Sequence, residues 1–424
     1  PLHIQIKEAW SSVPDVDYLG EKQKVETYNA QGFASLIDER IVDFAYDYKA
    51  DAKTLQEIIR KKTKFPTEKF EVMKAAFPCI IAGLRDYAEF IPLEREMFDL
   101  IIIDEASQVS IAQALPAILR ARKMVVLGDR QQFSNVKTSN SSKELNNSYM
   151  NEVMDQFKQE FPSAPGDAAT RARKFDIHSS VMDFFEMTSN STVRLKKHFR
   201  SYPELISFSS QYFYENGLQP MKIRAKPISD VIEFREIEHD GLLDPTRNTN
   251  QLEADAIIEE LEVLVEKDPP PTVGIITPHT DQQELILRMI TDHPRAESIL
   301  KLLKVAVFTF DTCQGEERDV IIYSMVATSE KDRLNHIFAR SLDGSNDDEL
   351  DGKVRLQRLN VGFSRAKEKI LFVHSKPIKD FTGSIKQALQ HYSRLLESSH
   401  DMPDISAFDP NSPQEAVLYN YLTA

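Results

Sequence analysis

The spacing of the hydrophobic residues changes near residue 77. Before that point apolar residues recur three or four positions apart, as at Leu55, Ile58 and Ile59, with charged residues between them. This spacing predicts amphipathic helices. From Phe77 onward, short apolar runs alternate with helical stretches, which is typical of α/β proteins. We therefore predict a helical accessory segment over residues 1–76, followed by α/β domains.

The apolar runs after residue 76 are rich in β-branched residues and end abruptly in acidic, glycine or polar residues. Buried strands of parallel sheets have this pattern, because helices cover both faces of the sheet and functional loops follow the carboxyl ends. The fold class is therefore α/β. The runs are FPCIIAG (77–83), FDLIIIDEA (98–106), MVVLGD (124–129), VGIIT (273–277), VAVFTF (305–310), DVIIYSMV (319–326) and KILFVHS (369–375).

Polar stretches separate these runs. Residues 134–147 are rich in Ser and Asn and predict a loop, with a helix at 148–160, and the acidic GSNDDELDG (344–352) predicts a surface loop. The predicted domains are the accessory segment 1–76, an incomplete first domain 77–190, a second domain 191–395, and a linker with the start of a further domain at 396–424.

The composition suits a globular protein of several domains, with 424 residues of which 41% are hydrophobic and 28% charged. No apolar run approaches the roughly 18 residues of a membrane helix, and PLHIQIKEAW is no secretory signal. Cys79 and Cys313, the two cysteines, are far apart, so we expect neither a zinc site nor a disulfide. This predicts a cytoplasmic location, or a nuclear one in a eukaryote.

Two carboxylates, Asp104 and Glu105, directly follow the second apolar run. Phosphoryl-transfer motors need one carboxylate here to hold Mg²⁺ and a second to orient and deprotonate the attacking water. Asp104 suits the metal-binding role and Glu105 the catalytic one. For an isolated pair, a helix start at which acidic residues complement the dipole is the better interpretation. The remaining motifs overturn that interpretation.

The third run ends in VVLGDRQQF, with Gly128, Asp129 and Gln132 in the loop that follows it. A glutamine at this point can contact the γ-phosphate and report its hydrolysis to the strand-binding surface. We count Gly128 and Asp129 with the nucleotide-binding residues. Taken alone, the motif is explained equally well by an ordinary turn.

The segments that follow resemble the motifs of superfamily 1B helicases in order and spacing. The segment VRLKKHFRSYPELISF (193–208), with QYFY soon after it, looks like motif IV. VGIITPHTDQ (273–282) resembles the conserved strand and turn after that motif. VFTFDTCQGEERDVII (307–322) looks like motif V, and RLNVGFSRAKEKILFVHS (358–375) is similar to motif VI. The resemblance covers residues 77–376 and is greatest to the branch that includes the nonsense-mediated-decay helicase and senataxin.

This resemblance implies two RecA-like domains, the first incomplete, with ATP hydrolysed between them. Arg200 and Arg365 would reach the γ-phosphate and stabilise transition-state charge. Surface ion pairs are the alternative for both. The remaining implied roles are contact with phosphate and ribose for Gly315 and Glu317, nucleotide binding for Gln282, and a position towards the nucleic-acid path for Asp311 and Thr312.

The main departure from the family is that the string G-x-x-x-x-G-K-[ST], which cradles phosphates, does not occur in the 424 residues. Either the chain is a fragment that lies downstream of this loop, or it is a degenerate motor. The presence of the other catalytic residues, and a first residue other than Met, favours the fragment. We therefore expect weak MgATP binding and inefficient hydrolysis.

The predicted function is an ATP-dependent helicase or translocase that moves 5′ to 3′ on single-stranded nucleic acid. The net charge of −14 opposes bulk electrostatic coating of nucleic acid, but a narrow cationic channel escapes this objection. DPNSPQEAVLYNYL (409–422), which includes Glu415, resembles the first helix of appended nuclease domains, although an ordinary amphipathic helix explains it better. We favour DNA over RNA because of this tail, and expect no membrane partner.

Two alternatives remain open. One is a non-catalytic nucleic-acid-binding scaffold with a dead ATP site, and the other is a motor that serves a nuclease in a defence or repair system. A phosphate-binding loop upstream of Pro1 would distinguish the motor from the scaffold. An acidic and lysine cluster beyond Ala424 would support the nuclease.

Overall fold

A computed structural model of the protein describes residues 17–133, 143–164, 166–173, 179–240, 248–343 and 349–398. The chain divides into two compact units. The first takes its residues from Pro1–Ile103 and Ala112–Val125, and the second from Asp104–Ile111 and Val126–Ala424. The domain ranges derived from the sequence stay predictions.

From residue 17, where the described part of the first unit starts, four helices follow one another, which are α1 (Tyr18–Asp47), α2 (Lys49–Lys61), α3 (Thr67–Ala76) and α4 (Leu84–Phe90). Leu55 and Ile58 of α2 pack with Phe44 and Ala76 in a small core. This is the burial that apolar residues three or four positions apart produce on one face of a helix. The predicted helical N-terminal segment is confirmed.

The same unit contains two short strands, β1 (Ile101–Ile103) and β2 (Met124–Val126), which pair in a two-stranded sheet and are joined by α5 (Ile111–Arg120). The prediction of a strand at 77–83 is wrong. These residues join no strand, and Ile81 is 95% exposed. A strand requires a neighbouring backbone for its hydrogen bonds, which apolar composition alone does not supply.

The second unit holds a parallel sheet of five strands in the order β5-β9-β8-β6-β7. Four of these strands match predicted runs. The edge strand β5 was not predicted, because polar residues alternate through IEFRE and only its first residue is buried. A parallel pair of two-residue strands, β3 (Lys197–His198) and β4 (Gln219–Pro220), precedes it. The strands of the main sheet are β5 (Ile232–Glu236), β6 (Val273–Thr277), β7 (Ala306–Thr309), β8 (Arg318–Thr328) and β9 (Ala366–Ser375).

Two helices of this unit extend into predicted loops. One begins at Lys143, where the sequence predicted a start at residue 148, and one begins at Glu349, inside the predicted loop 344–352. Both begin at charged residues that accept a helical conformation readily. The helices are α6 (Lys143–Glu160), α7 (Gly166–Ala172), α8 (Val181–Thr188), α9 (Pro203–Phe213), α10 (Gln251–Val265), α11 (Thr280–Asp292), α12 (Ala296–Leu302), α13 (Glu349–Phe363) and α14 (Gly383–Ser398). The rest of these two loops, and the C-terminal segment with Glu415, lie outside the described residues.

The main sheet is buried on both faces. Alternate residues of a strand enter different cores, as Ile322 packs with the helices α10, α11 and α12, while its neighbour Tyr323 packs with α9, α13 and α14. Because both faces are covered, the central strands have no polar alternation. Gly362 of α13 lies so close to the ring of Phe310 that a Cβ atom there would be 2.4 Å away. The predicted α/β class with parallel sheets is confirmed.

None of the helices within the described ranges is long and apolar enough to cross a membrane.

Candidate active site

The two candidate carboxylates follow β1, and both belong to the second unit. The backbone of Glu105 turns sharply, with φ of 52° and ψ of 38° in the left-handed region, and its N–H donates to Oδ1 of Asp104 at 2.9 Å. Holding a residue other than glycine in this conformation destabilises the fold by on the order of 1 kcal/mol. Such strain is common at functional sites. The turn keeps the two adjacent carboxylates apart, so that Asp104 is exposed and Glu105 half-buried.

Two side-chain amides fix the carboxylate of Glu105. Nε2 of Gln108 and Nε2 of Gln314 each donate to its Oε2 atom at 3.1 Å. Gln108 lies one turn further along the same segment, whereas Gln314 comes from the loop between β7 and β8. Sequence reasoning missed the role of Gln314, although this residue lies inside the DTCQGEE string that carried the family resemblance.

The loop after β2 packs closely against the segment of the carboxylates. A Cβ atom on Gly128 would lie 3.1 Å from the backbone nitrogen of Ser107 and 3.2 Å from that of Ala106, so only glycine fits without a shift. Within this loop Asp129 accepts hydrogen bonds from the backbone of Gln131 at 2.9 Å and from Nε2 of Gln132 at 3.2 Å. The loop therefore holds Gln132 close to Asp129, as the G-D-x-x-Q spacing suggests.

The two candidate arginines meet at Ser364. Nη1 of Arg200 donates to the backbone oxygen of Ser364 at 3.2 Å. Nη2 of Arg365 donates to the Oγ atom of Ser364 at 2.8 Å. Arg365 is buried, and its guanidinium also bonds to the backbone oxygens of Val361 at 2.7 Å and Glu316 at 3.3 Å. Burial lowers the pKa of Arg365, and the nearby charge of Arg200 acts in the same direction.

Glu317 is the ionic partner of Arg200. Its carboxylate accepts from Nε of Arg200 at 2.6 Å and from Nζ of Lys367 at 2.7 Å. The hydrogen bond from Lys367, together with the charge of Arg200, lowers the pKa of Glu317. Each carboxylate oxygen of Glu317 therefore has a cationic partner, which is Arg200 for Oε2 and Lys367 for Oε1. Lys367 was not singled out from the sequence, although the RAKEK string contains it.

The remaining predicted site residues lie in separate environments. Gln282 is fully buried, where its amide donates to the backbone oxygen of Asn250 at 3.0 Å and to Ser324 Oγ at 3.1 Å. Asp311 is exposed and pairs with Arg358. Thr312 Oγ1 accepts from the backbone of Thr309 at 2.9 Å.

Gly315 has a φ of +77°, which glycine adopts without strain. Glu105, Arg200 and Arg365 thus contact distant elements of the chain. Gln132 contacts Asp129 of its own loop, and Gln282 lies inside a buried polar network. The assigned roles of all these residues stay predictions.

A buried polar cluster connects the Gln132 loop with α13. Tyr214, directly after α9, donates its hydroxyl hydrogen to Oδ2 of Asp129 and accepts from Nδ2 of Asn360 at 3.1 Å. Burial, and then the charge of Asp129, raise the pKa of Tyr214 well above its usual range, so the hydroxyl stays protonated. Neither Tyr214 nor Asn360 was singled out from the sequence, although both lie in strings of the resemblance.

The carboxylates of the site suit Mg²⁺ only if phosphate oxygens supply further ligands. Among the described residues, no group of three or more His, Cys, Asp or Glu side chains could hold a metal ion by itself. The exposed carboxylate of Asp104, with one oxygen bound to a backbone N–H, can supply one ligand. Mg²⁺ in phosphoryl-transfer sites commonly takes one or two carboxylates, substrate phosphates and water.

Two protein-family models match the chain, and both are described as an AAA domain. One matches residues 47–140 and the other residues 177–376. An uncharacterized ATP-dependent helicase of Mycoplasma genitalium is 28% identical over 393 residues, which are 88% of this chain and 32% of that protein.

Two further relatives are also named as ATP-dependent helicases. The ATP-dependent helicase upf1 of Schizosaccharomyces pombe is 25% identical, over 70% of this chain and 28% of its own length. The DNA replication ATP-dependent helicase/nuclease DNA2 of Gallus gallus is 24% identical, over 76% of this chain and 28% of its own length. The chain spans about a third of the length of the curated relatives it matches.

Proposed function

The chain belongs to the superfamily 1 helicases, and on that premise we propose that it forms part of an ATP-dependent motor that moves along single-stranded nucleic acid. The observation that carries the proposal is the meeting of Arg200 and Arg365 at Ser364, in the same unit as the fixed carboxylate of Glu105. An arginine that stabilises transition-state charge and a residue that orients the attacking water are recurring parts of phosphoryl-transfer sites.

In this proposal Glu105 accepts a proton from the water that attacks the γ-phosphorus, while the bond to the bridging oxygen breaks and ADP leaves. The amides of Gln108 and Gln314 orient the carboxylate for that step. Mg²⁺, with Asp104 as its protein ligand, would neutralise charge on the phosphate oxygens.

Arg200 exchanges its partner during the proposed cycle. Arg200 pairs with Glu317, and γ-phosphate oxygens offer its guanidinium a bidentate alternative. Glu317 keeps Lys367 as a partner after the exchange, so its carboxylate is not left unpaired. Arg365 is buried and bound to backbone oxygens, so contact with a phosphate requires its guanidinium to become accessible.

We propose that the strand moves 5′ to 3′ and lies near Asp311 and Thr312, and that DNA is favoured over RNA. The name of the avian relative joins a helicase to a nuclease and to DNA replication, which supports a motor working with a nuclease. RNA stays a test condition, because stacking and phosphate contacts do not distinguish the two sugars. A cytoplasmic or nuclear location is part of the same proposal.

The test is ATP hydrolysis with and without single-stranded DNA or RNA. Because no phosphate-cradling loop occurs among the 424 residues, we expect slow hydrolysis by this chain alone. The assay therefore also uses the chain together with whatever sequence its reading frame places before Pro1. Glu105→Gln should lower stimulated hydrolysis by about a hundredfold or more, since general-base catalysis typically contributes that much.

The matched control is Glu39→Gln, the same change at an exposed position of α1, which should leave the rate unchanged. A protein with a phosphate-binding loop whose hydrolysis is unaffected by Glu105→Gln contradicts the motor proposal. Strand binding without any hydrolysis, in every form of the protein, would instead support the non-catalytic scaffold.

A further inference from the structure

Helix α13 presents two buried amides to the loop that carries Gln132. Gln357 and Asn360 are three positions apart, so they share one face of the helix. Nε2 of Gln357 donates to the backbone oxygen of Arg130 at 3.0 Å, and Nδ2 of Asn360 donates to that of Gln131 at 2.8 Å. Two successive peptide groups of the loop are therefore bound to one helix.

Tyr214 adds a third link. Asn360 uses its second amide hydrogen on the tyrosine hydroxyl, which in turn donates to Oδ2 of Asp129. That same oxygen accepts from Nε2 of Gln132. Asn360 thus donates to Tyr214, and Tyr214 donates to Asp129. Gln132 donates to the same oxygen of Asp129.

Packing alone does not account for these polar residues. Asn360 is only 1% exposed, yet its Oδ1 atom has no hydrogen-bond partner among the described residues. A buried acceptor without a partner destabilises the fold, so an apolar side chain would fill the space at lower cost. The amide is explained if its two donated hydrogen bonds serve the loop.

The candidate arginine lies just beyond the C-terminal end of the same helix. Helix α13 ends at Phe363, and Arg365 follows two residues later. Nε of Arg365 donates to the backbone oxygen of Val361, which adjoins Asn360 in the helix. One rigid turn therefore separates the group that holds the Gln132 loop from the group that holds Arg365.

We propose that Tyr214, Asn360 and Gln357 are positioning residues that keep Gln132 and Arg365 in a fixed relation. Movement of the Gln132 loop is transmitted through Tyr214 and Asn360 to α13 and hence to the arginine. This inference rests on the proposed function for its consequence in hydrolysis, but the physical link exists independently of the reaction. None of the three touches the reacting atoms in this role.

The first test measures the link without any activity. Tyr214→Phe removes only the hydroxyl, and we expect backbone amide hydrogen exchange in residues 128–133 to rise by about tenfold, as loss of a hydrogen bond to a charged group implies. The control is Tyr212→Phe in the last turn of α9, two residues away, since the Tyr212 hydroxyl makes no hydrogen bond to the described residues. Unchanged exchange at 128–133 in Tyr214→Phe would overturn the proposal.

The second test uses the form of the protein that hydrolyses ATP. Tyr214→Phe should lower kcat by about tenfold and change KM by less than about twofold, because the effect falls on the transition state. In a Gln132→Ala background the same change should have little further effect, since its route is through Gln132. Independent, additive losses would indicate a purely structural role and contradict the inference.

Different results would refute the proposed function and the positioning role. If the wild-type protein hydrolyses no ATP in any form, the proposed function is wrong, while hydrogen exchange still decides whether Tyr214 holds the loop. If hydrolysis is normal and exchange does not respond to Tyr214→Phe, the motor stands and the inference falls.

Discussion

The strand before Asp104 and the central strands of the second unit have the same kind of sequence but very different surroundings. In β1 the side chain of Ile102 is 59% exposed, whereas all five residues of β6 are buried. β1 pairs with β2 in a sheet of two strands, while β6 lies between β8 and β7 in a sheet covered by helices on both faces. A β-branched run predicts a strand, but its neighbours decide how much stability the strand contributes.

A matched pair of substitutions tests this difference most strongly. Ile322→Ala in β8 removes a fully buried side chain and should lower the free energy of unfolding by about 2–5 kcal/mol. Ile102→Ala in β1 makes the same chemical change at an exposed position and should cost less than about 1 kcal/mol. Urea denaturation followed by circular dichroism measures both. Equal losses would show that the two sheets are buried to the same degree in solution.

The first unit depends instead on a buried cation. Arg120 is 1% exposed, and its guanidinium donates to the backbone oxygens of Ile91, Pro92 and Pro116. Arg120→Met removes these three hydrogen bonds and should destabilise the unit by about 2–3 kcal/mol. Hydrogen exchange in peptides from α3 to β2 measures the effect.

The control for that change is Arg122→Met. Arg122 is exposed and pairs with exposed Asp99 at 3.3 Å, so its loss should cost no more than about 1 kcal/mol. If both substitutions have the same small effect, the bonds of Arg120 to the backbone do not stabilise the first unit.

The second unit also buries an ionisable residue, Glu253, and its contribution to stability depends on pH. Glu253 is fully buried, where it accepts hydrogen bonds from Ser324, Ser375 and the backbone of Val326. Burial raises its pKa to about 7, above the value of roughly 4.3 in an unfolded chain. The folded state therefore binds more protons between these values, so the contribution of Glu253 is fully present below the unfolded pKa and is lost as pH rises towards 7.

We therefore expect the stability of Glu253→Gln relative to the wild type to increase with pH across this window, with a slope of no more than about 1.4 kcal/mol per pH unit. Denaturant unfolding at several pH values measures this slope. Glu259→Gln, at an exposed position of the same helix, should give a flat difference. A flat difference for Glu253→Gln as well would mean that its carboxyl group titrates alike in the folded and unfolded states.

Sequence patterns located most of the elements that carry the candidate site. The runs before Asp104 and Gly128 are strands, and so is the run that ends near the loop of Gly315. The failed prediction at 77–83 and the missed strand β5 share one cause. Apolar composition reports a preference for burial, whereas strand formation also needs a neighbour, and an edge strand tolerates polar residues.

The partners of the site residues were not predictable in the same way. Gln282 belongs to a family motif, but its amide is buried against Asn250 and Ser324. Glu317 was expected at a nucleotide, and the structure pairs it with Arg200 and Lys367. The sequence lists the charged groups, but only their positions in space decide which of them neutralise each other.

By itself the sequence determined the α/β class, the order of the helicase motifs and the residue types available for hydrolysis. Each of these depends on neighbours a few positions apart. The tertiary structure alone decided that Gln314 orients Glu105, that Ser364 joins the two arginines, and that Tyr214 connects Asp129 to Asn360. The first and last of these contacts join residues far apart in the chain, and their closeness depends on how strands and helices pack, which no local pattern of residues encodes.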